Sequence, residues 1–419
     1  MQEHIFTGFG FGPIQSGLFA KEAFRSGNFS RIAIAEIDQQ LVDAVRNNNG
    51  SYYVNIAKKD GIETVRIDNI EIYNHQVDSD RQALAEVLAK STEFATSLPS
   101  VSFYNIGDNS VASLIGRALK DSSTPATIVY TAENNNRAAQ ILQEKVSSEL
   151  EDISLDNVRF LNTVIGKMSQ VVTRPEEIKK KNLKTIAPGI NRAFVVEEFN
   201  EILVSRCDIS DFKTGIEVFI EKENLLPFEE AKLYGHNAIH SLLGYLGSLK
   251  GYTKMGELKD DRELMQIARD AFINESGRAL IDKYSHFADD LFTEVGYTKY
   301  AEDLLARITN PYLDDTVERA VRDPMRKLSL NDRIFGTMAL VLEQGIQPAN
   351  LALGAAAAIV SILKNIAKYN LPQVEGVWKL QDKQIEEILL EIWGEDVSDK
   401  SDELIRYTQK GYKHLKCSA

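Results

Sequence analysis

The pattern of the sequence changes near residue 192, and this change constrains the fold more than any other feature. Before it, short runs of β-branched residues alternate with helical stretches, which favours a parallel sheet with helices on its faces. After it, long segments repeat their apolar residues with the 3.6-residue period of an α-helix. The sequence therefore predicts an α/β domain over residues 1–191 and a mostly α-helical domain over residues 192–419.

The predicted elements follow the same division. In the first domain we expect strands at Ile5–Thr7, Arg31–Ala35, Tyr52–Ala57, Glu63–Ile67, Val101–Ile106 and Ala126–Thr131, and helices at Leu18–Phe24 and Asp80–Ala95. The basic segment 175–188 is expected to be a surface loop. In the second domain we expect helices at Glu263–Ile281, Tyr300–Ile308, Asp332–Leu342, Leu351–Tyr369 and Gln384–Trp393.

Charge and cysteine content exclude several classes of protein. The chain has 48 Lys and Arg against 61 Asp and Glu, a net charge of −13, which argues against a partner that is nucleic acid or an anionic membrane. The two cysteines, Cys207 and Cys417, have no metal-ligand spacing and favour a reducing compartment.

No signal peptide is evident, and the uncharged stretch 344–363 is better explained as a buried core helix than as a membrane span. We expect a cytoplasmic protein, either a monomer or a small homo-oligomer.

A glycine-rich loop follows the first predicted strand. The segment 8–17 reads GFGFGPIQSG, and it can be phased from Gly8 or from Gly10, although neither phase gives a complete G-x-G-x-x-G motif. Such a loop brings backbone N–H groups close to a pyrophosphate at a helix N-terminus, but glycine turns are also common elsewhere. From this context we assign Gly10, Gly12, Ile14 and Gln15 to a cofactor site.

An acidic residue ends the second predicted strand and strengthens this interpretation. Glu36 lies where a carboxylate can accept hydrogen bonds from both adenosine ribose hydroxyls and would repel a 2′-phosphate. The alternative is an ordinary exposed acid at a strand end. We also assign Gly107, directly after the strand predicted at Val101–Ile106, and Asn134 to this site. The first domain is thus predicted to be a Rossmann-like domain that binds NAD in preference to NADP.

The strongest chemical signal lies on one predicted helix of the second domain. At about 100° per residue, Lys232, Asn237 and His240 fall at roughly 0°, 140° and 80°, and therefore on one side of the helix. A hydrogen-bonded or solvated polar face would explain the same pattern. Oxidation of an alcohol, however, needs a base for the hydroxyl proton and donors that stabilise the developing oxyanion. A desolvated lysine can supply the base, and no metal-ligand set is evident that would replace it.

These residues resemble the signature of a known family. The spacing Lys232-x4-Asn237-x2-His240 is similar to that of the polyol-specific long-chain dehydrogenases, the mannitol dehydrogenase family. The loop 10–17, the strand end 35–38, the segment 131–135 and the run from Asn310 to Arg333 resemble other family motifs. The resemblance extends over most of the chain.

The resemblance implies an activity and a role for each site residue. The protein would be a metal-independent oxidoreductase that interconverts a polyol, or a polyol phosphate such as mannitol 1-phosphate, with the corresponding ketose, using NAD. Lys232 would be the general base, Asn237 and Asn134 would hold the reacting oxygen, and His240 would orient a substrate hydroxyl. The family pattern gives His236 no catalytic role, and from its position on the same arc of the helix we expect it at most to line the substrate pocket.

The sequence departs from the family at two positions. Where members usually carry an Asp-Arg pair, this chain has Gly166-Lys167-Met168, and Ile202 replaces a typical tryptophan. Both departures put the identity of the substrate in doubt.

The basic residues of the run ending at Arg333 have two interpretations. Arg322, Arg326 and Lys327 could clamp a sugar phosphate, or they could be surface charges paired with Asp323 and Asp332. A hexuronate reductase of the fructuronate or tagaturonate type, whose carboxylate this cluster would bind, is the alternative within the family. A non-catalytic NAD(H)-sensing protein is the alternative outside it.

Overall fold

The computed structural model describes residues 4–148, 155–364, 366–369, 371, 374–397 and 399–418. The chain forms two compact units, Met1–Leu226 and Pro227–Ala419. The strands of the first unit are β1 (His4–Phe9), β2 (Phe29–Glu36), β3 (Tyr52–Ala57), β4 (Ile62–Ile67), β5 (Ile70–Asn74), β6 (Glu93–Thr96), β7 (Thr127–Thr131), β8 (Val158–Val164), β9 (Ser169–Val172), β10 (Ala193–Glu197), β11 (Ile202–Ser205) and β12 (Phe219–Lys222). Its α-helices are α1 (Ala20–Ser26), α2 (Gln39–Asn47), α3 (Asp78–Leu88), α4 (Val111–Lys120), α5 (Ala138–Ser148) and α6 (Pro175–Lys180).

Eight of these strands form one sheet in the order β12-β11-β8-β7-β6-β1-β2-β5. The six strands from β8 to β5 pair in parallel, whereas β11 is antiparallel to β8. The direction of winding reverses between β1 and β6, and ligands of doubly wound sheets bind beyond the carboxyl ends of the strands at such a point. The predicted Rossmann-like class of the first unit is therefore confirmed, and the topology itself marks one edge of the sheet for a ligand.

A second, four-stranded sheet in the order β4-β3-β10-β9 completes the first unit. Its strand β10 lies beyond residue 192, as do β11 and β12 of the larger sheet. The structure therefore divides after residue 226, whereas the helical periodicity of the sequence placed the division after residue 191. The short strands near the division carry a much weaker sequence signal than the long helices that follow them.

Three predictions for the first unit are wrong. The segment Val101–Asn105 is a 3₁₀ helix rather than a strand, and β6 occupies the end of the segment predicted to be helical up to Ala95. Strand β6 begins with the fully buried Glu93, which accepts a hydrogen bond from Tyr130 Oη at 3.0 Å and another from the backbone N–H of Gly215. A charged residue with partners this distant in sequence conceals the strand from local patterns. Helix α6 likewise lies in a segment predicted to be a loop.

Apart from an isolated β-bridge between Lys254 and Thr316, the regular elements in the described part of the second unit are helices. Its α-helices are α7 (Leu226–Glu230), α8 (Ala238–Leu249), α9 (Arg262–Asp270), α10 (Arg278–Lys283), α11 (Glu294–Ile308), α12 (Val317–Val321), α13 (Pro324–Lys327), α14 (Phe335–Glu343), α15 (Ala349–Leu363), α16 (Asp382–Trp393) and α17 (Ser401–Ser418). Segments Ala231–Asn237 and Ala271–Gly277 are π-helical. Each π-helical segment joins the α-helices on either side of it into one continuous helix.

Helix α15 contains the uncharged stretch that could be mistaken for a membrane span. Almost all of its side chains are buried, as expected for a helix that is apolar on every face. At the N-terminus of α15, the buried carboxylate of Glu275 accepts hydrogen bonds from Asn350 N at 2.6 Å and Leu351 N at 3.0 Å. The buried core helix predicted from the sequence is confirmed. Within the described residues, no helix is both long enough and apolar enough to cross a membrane.

Candidate active site

The glycine loop lies at the carboxyl end of β1, beside the point where the winding reverses. Gly10 has a φ of +83°, and its N–H donates to Ala35 O at 2.8 Å. A Cβ at this position would meet Ser97 O at 2.9 Å, so that conformation and space both require glycine. Gly12 has no heavy atom within 4 Å of the place where its Cβ would be, and the next helix begins immediately after it. The loop therefore leaves an open space at a helix N-terminus.

The two residues assigned to the loop after Gly12 have different surroundings. Ile14 packs against the hydrophobic core of the first unit. The side chain of Gln15 is 0% exposed, and its amide Nε2 and Oε1 atoms have no hydrogen-bond partner in the part of the chain that the structure describes. A Cβ on Gly8 would meet this Nε2 at 1.8 Å, so the glycine of β1 makes room for the glutamine. Only the backbone of Gln15 is therefore available to a ligand.

Glu36 ties the glycine loop to the end of β2. Its Oε2 accepts from Phe11 N at 2.8 Å, and its Oε1 accepts from Ile37 N at 2.6 Å and Asp38 N at 2.9 Å. Because the carboxylate is only half-buried, it can still reach a ligand at the same edge. The side chain of Ile37 beside it is 62% exposed and offers an apolar surface there.

The register of the sheet shows that the segment carrying Asn134 leaves the sheet at the same edge as the glycine loop. Phe9 pairs with both Ala35 and Thr96, and Thr96 pairs with Thr131. The segments that follow β1, β2, β6 and β7 therefore leave the sheet at the same edge, and the segment after β7 carries the exposed Asn134.

Glu133 fixes the start of the segment that carries Asn134. It is buried and accepts hydrogen bonds from Thr96 Oγ1 and Leu98 N, both at 2.8 Å, and from Tyr104 Oη. Burial raises the pKa of Glu133, although these hydrogen bonds oppose the shift. Gly107 is exposed, with a φ of +75°, after the 3₁₀ helix that ends at Asn105.

Lys232 and Asn237 lie on the π-helical segment Ala231–Asn237 of the second unit. A π-helical turn holds more residues than an α-helical turn, because its backbone hydrogen bonds span five residues instead of four. Ser276 Oγ, on the second π-helical segment, donates to Tyr234 O at 2.8 Å. A Cβ on Gly235 would meet Tyr297 Oη at 2.8 Å and Phe272 Cε2 at 2.9 Å. Close packing at Gly235 therefore accompanies the wide turn that carries Lys232.

The ammonium group of Lys232 has no hydrogen bond or salt bridge among the described residues. The side chain is half-buried, and this burial, together with the positive charge of Arg333, lowers its pKa to about 8. The carboxyl group of Glu229 opposes the shift, and burial raises the pKa of that carboxyl to about 7. Lys232 therefore changes its charge close to neutral pH, as a general base should.

Asn237 and His236 are two further predicted site residues on this helix. The half-buried side-chain amide of Asn237 makes no hydrogen bond among the described residues. His236 is buried, and burial together with nearby positive charges, including Arg307, lowers its pKa well below the ordinary value, which keeps the ring neutral.

His240 differs because its Nε2 lies 2.8 Å from Asp315 Oδ2. Burial lowers the pKa of His240 despite the nearby Asp315 carboxylate. The structure thus places a basic amine, an amide without a hydrogen bond among the described residues and two neutral imidazoles on two adjoining segments of one helix.

The basic cluster is largely neutralised. Arg326 pairs with Asp323 at 2.6 Å and with Asp332 at 2.8 Å, and Arg333 pairs with Asp332 at 2.7 Å. Lys327 is only 4% exposed, donates to Ala320 O, and has its pKa lowered to about 7 by burial and by the charge of Arg333. Arg322 is exposed and has no ion-pair or hydrogen-bond partner among the described residues.

The two departures from the family pattern lie in the interior of the first unit. Lys167 is buried and donates to the carbonyl oxygens of Glu197 and Phe199. Ile202 is fully buried in the hydrophobic core. In this chain the two positions stabilise the first unit, and neither presents a free charge to a substrate.

Sequence reasoning missed the acidic partners of the site, Glu229 and Asp315. Glu229 lies one helical turn before Lys232, a spacing that could have identified it. Asp315 lies within the run from Asn310 to Arg333 that resembles a family motif, but its contact with His240 depends on the fold. Among the residues that the structure describes, no group of three or more His, Cys, Asp or Glu side chains could hold a metal ion.

The architecture defined so far is a doubly wound α/β unit followed by a helical unit with a half-buried lysine–amide–histidine set. Residues 224–409 match the family model of the mannitol dehydrogenase C-terminal domain. The resemblance predicted from the spacing of Lys232, Asn237 and His240 is thereby confirmed.

Known proteins similar to the whole chain agree with this match. The chain is 27% identical, over 399 residues, to the curated mannitol-1-phosphate 5-dehydrogenases of Buchnera aphidicola subsp. Acyrthosiphon pisum strains Tuc7 and APS, with 94% of this chain and 94% of each relative covered.

Two solved structures share the fold. A D-sorbitol dehydrogenase in substrate-free form has a TM-score of 0.75 at 15% identity, covering 98% of this chain and 93% of that one. Pseudomonas fluorescens mannitol 2-dehydrogenase, solved as a ternary complex with NAD and D-mannitol, has a TM-score of 0.68 at 18% identity, covering 100% and 92%.

Proposed function

We propose that the protein is an NAD-dependent oxidoreductase that interconverts a polyol or polyol phosphate with the corresponding ketose, without a metal ion. The observation that carries the proposal is the state of Lys232, a half-buried amine without a partner among the described residues and with a pKa of about 8. The names of the similar proteins support the substrate class, and the mannitol 2-dehydrogenase complex supports the cofactor.

The carboxyl edge of the large sheet fits a dinucleotide. The positive φ of Gly10 and the open space at Gly12 suit a pyrophosphate held by backbone N–H groups, including those of Ile14 and Gln15. Glu36 would accept hydrogen bonds from the adenosine ribose, beside the apolar surface of Ile37. Gly107 and Asn134 stay predicted members of this site. When bound, NAD accepts the hydride that leaves the carbinol carbon.

Lys232 and its neighbours would handle the proton and the oxygen. The neutral amine of Lys232 accepts the hydroxyl proton of the alcohol, and in the reverse direction its ammonium form returns that proton to the carbonyl oxygen. The unpaired amide of Asn237 donates a hydrogen bond to the developing alkoxide, and the family resemblance assigns Asn134 the same role. His240 contacts another hydroxyl of the substrate, and His236 lines the pocket.

A phosphorylated substrate would need a cation that is not already neutralised. Of the predicted clamp residues Arg322, Arg326 and Lys327, Arg322 best meets this condition, because its exposed guanidinium has no partner among the described residues. Arg326 would have to exchange one of its two aspartate partners for the phosphate.

Steady-state rates with mannitol 1-phosphate, mannitol, fructuronate and tagaturonate, followed by NAD(H) absorbance, test the substrate class. We expect turnover with a polyol or polyol phosphate. Turnover restricted to the uronates would instead make the protein a hexuronate reductase, and NAD binding without turnover of any substrate would favour a sensor.

Lys232→Ala tests the base. We expect kcat to fall by roughly 10²–10⁴-fold, the contribution typical of a general base, with NAD binding by calorimetry unchanged. Lys299→Ala, which removes an exposed lysine of α11, is the matched control and should keep full activity. Undiminished turnover of Lys232→Ala would remove this lysine from the mechanism.

A further inference from the structure

Asp315 is a buried carboxylate in the second unit to which neither the motif nor the proposed reaction assigns a role. Its side chain is 1% exposed, and its Oδ2 lies 2.8 Å from Nε2 of His240. On its other side the guanidinium of Arg319 donates from Nε to Oδ1 and from Nη2 to Oδ2, both at 2.6 Å. The carboxylate therefore links the guanidinium to the imidazole, and its Oδ2 contacts both.

The backbone holds this carboxylate firmly. Met255 N donates to Asp315 O at 2.9 Å, and Val317 N donates to Thr253 O at 3.0 Å, which ties both sides of the residue to the segment after α8. Helix α12, which carries Arg319, lies close to α8, which carries His240. A Cβ added to Gly244 of α8 would come within 2.6 Å of the Ala320 Cβ. The position of Asp315 relative to His240 is therefore fixed by the fold.

The protonation of the two partners decides which ring nitrogen carries the proton. Burial alone would raise the pKa of Asp315, but the hydrogen bonds with His240 and Arg319 outweigh it and hold that pKa well below its usual range. An ionised carboxylate can only accept hydrogen bonds. Because burial lowers the pKa of His240, its ring is neutral near pH 7 and carries a single N–H. That N–H must be on Nε2, and Nδ1 keeps its lone pair.

We propose that Asp315, held by Arg319, is a positioning residue that fixes His240 in the Nε2–H tautomer, so that Nδ1 accepts a hydrogen bond from a substrate hydroxyl. The inference rests on the proposed function, since only a substrate that carries more than one hydroxyl gives this acceptor a purpose. It specifies which ring nitrogen of His240 contacts the substrate, and that this nitrogen accepts the hydrogen bond. A hydroxyl group can meet the lone pair of Nδ1, whereas a hydrogen or a carbonyl group at the same carbon cannot donate to it. The arrangement would thus help to select polyols.

Acid pH should remove this selection. The charged and titratable groups that face His240 are Asp315, Arg319, Lys327 and the imidazole of His236. Only the carboxylate favours the imidazolium form, and the cations oppose it. Once His240 is protonated, Nδ1 becomes a donor, and a hydroxyl must turn its hydrogen away from it.

The tautomer can be measured in the wild-type enzyme without any substrate. Two-bond ¹H–¹⁵N correlation spectra of protein labelled with ¹⁵N-histidine distinguish protonated from unprotonated ring nitrogens, and His240→Asn identifies the signals of His240 by their loss. We expect a protonated Nε2 and an unprotonated Nδ1 near neutral pH. A protonated Nδ1 with a bare Nε2 would overturn the inference, and this measurement does not depend on the folding of any variant.

Asp315→Asn tests whether the carboxylate is the cause. The amide can donate to Nε2, so we expect the Nδ1–H form to appear and KM for the polyol to rise about two- to tenfold, the loss expected for one hydrogen bond between neutral groups, with a smaller change in kcat. Asp314→Asn is the matched control, because the neighbouring Asp314 pairs with Lys254 at 3.0 Å. It should leave the His240 spectrum and KM unchanged. An unchanged tautomer together with an unchanged KM in Asp315→Asn would refute the role of Asp315.

The two proposals can fail separately. A protein with the Nε2–H tautomer that turns over no polyol or polyol phosphate would contradict the proposed function. An active polyol dehydrogenase in which His240 carries its proton on Nδ1 would contradict the role of Asp315 and leave the proposed function intact.

Discussion

Lys232 and Lys327 show how one residue type takes two roles within the same unit. Burial and the charge of Arg333 lower the pKa of both, to about 8 and about 7. Lys327 donates to the carbonyl oxygen of Ala320, so its nitrogen is bound by the fold. Lys232 has no such partner among the described residues. A free lone pair, more than the lowered pKa, distinguishes the candidate base from the structural lysine.

The proposed preference for NAD over NADP rests on Glu36. In Glu36→Ala we expect the ratio of kcat/KM for NAD over NADP to fall by roughly 10–100-fold, because a charged acceptor for the ribose hydroxyls and a repulsive charge are both lost. KM for both cofactors should rise, since Phe11 N also loses its acceptor. Steady-state kinetics with the two cofactors measure both effects.

Two further variants are compared with Glu36→Ala. Glu36→Gln keeps an acceptor oxygen but removes the charge, and it should shift the preference with less effect on the loop. Glu86→Ala, which removes an exposed acid of α3, is the control for net charge. A wild-type enzyme that already prefers NADP would show that the role of Glu36 is wrong.

At the scale of the element, the sequence predicted the helix of Lys232 but not its local form. A regular helix at about 100° per residue places Lys232, Asn237 and His240 on one side. The structure instead has a π-helical turn from Ala231 to Asn237, stabilised by the hydrogen bond from Ser276 to Tyr234 O. That partner lies 42 positions away along the chain, so no local pattern could reveal it. The side-chain types were predictable, whereas the geometry depends on packing.

Gly235 is the position at which this packing can be tested. In Gly235→Ala the new methyl group would approach Tyr297 Oη and Phe272 Cε2 more closely than van der Waals contact allows. We expect the free energy of unfolding to fall by about 1–3 kcal/mol, the usual cost of overpacking, and kcat to fall because the segment of Lys232 must shift. Denaturant titration and steady-state kinetics measure the two effects.

Gly61→Ala is the matched control for this substitution. Gly61 has no heavy atom within 4 Å of the place where its Cβ would be, and it does not adopt a positive φ. The stability and activity of Gly61→Ala should match those of the wild type. Equal stability of Gly235→Ala and the wild type would show that the close contacts at Gly235 do not hold the turn.

At the scale of the whole molecule, the change of pattern near residue 192 predicted both architectures correctly. It placed the division before β10, β11 and β12, because short strands are weak signals beside long helices. Strand β6 was missed for a related reason, since Glu93 is satisfied by Tyr130 and Gly215 from distant segments. The order of the strands, which marks the ligand edge, is a property of the fold that no local pattern contains.

The pH dependence of alcohol oxidation at saturating substrate, with a primary deuterium isotope effect to show that hydride transfer limits the rate, tests the central claim most directly. Lys232 must be neutral to accept the proton, so the rate should fall as the pH drops through about 8, while ketose reduction should fall as the pH rises through the same value. In Lys232→Ala both limbs should disappear along with most of the rate. Rates that stay constant through this range in the wild type, with hydride transfer limiting, would contradict the assignment of Lys232 as the base.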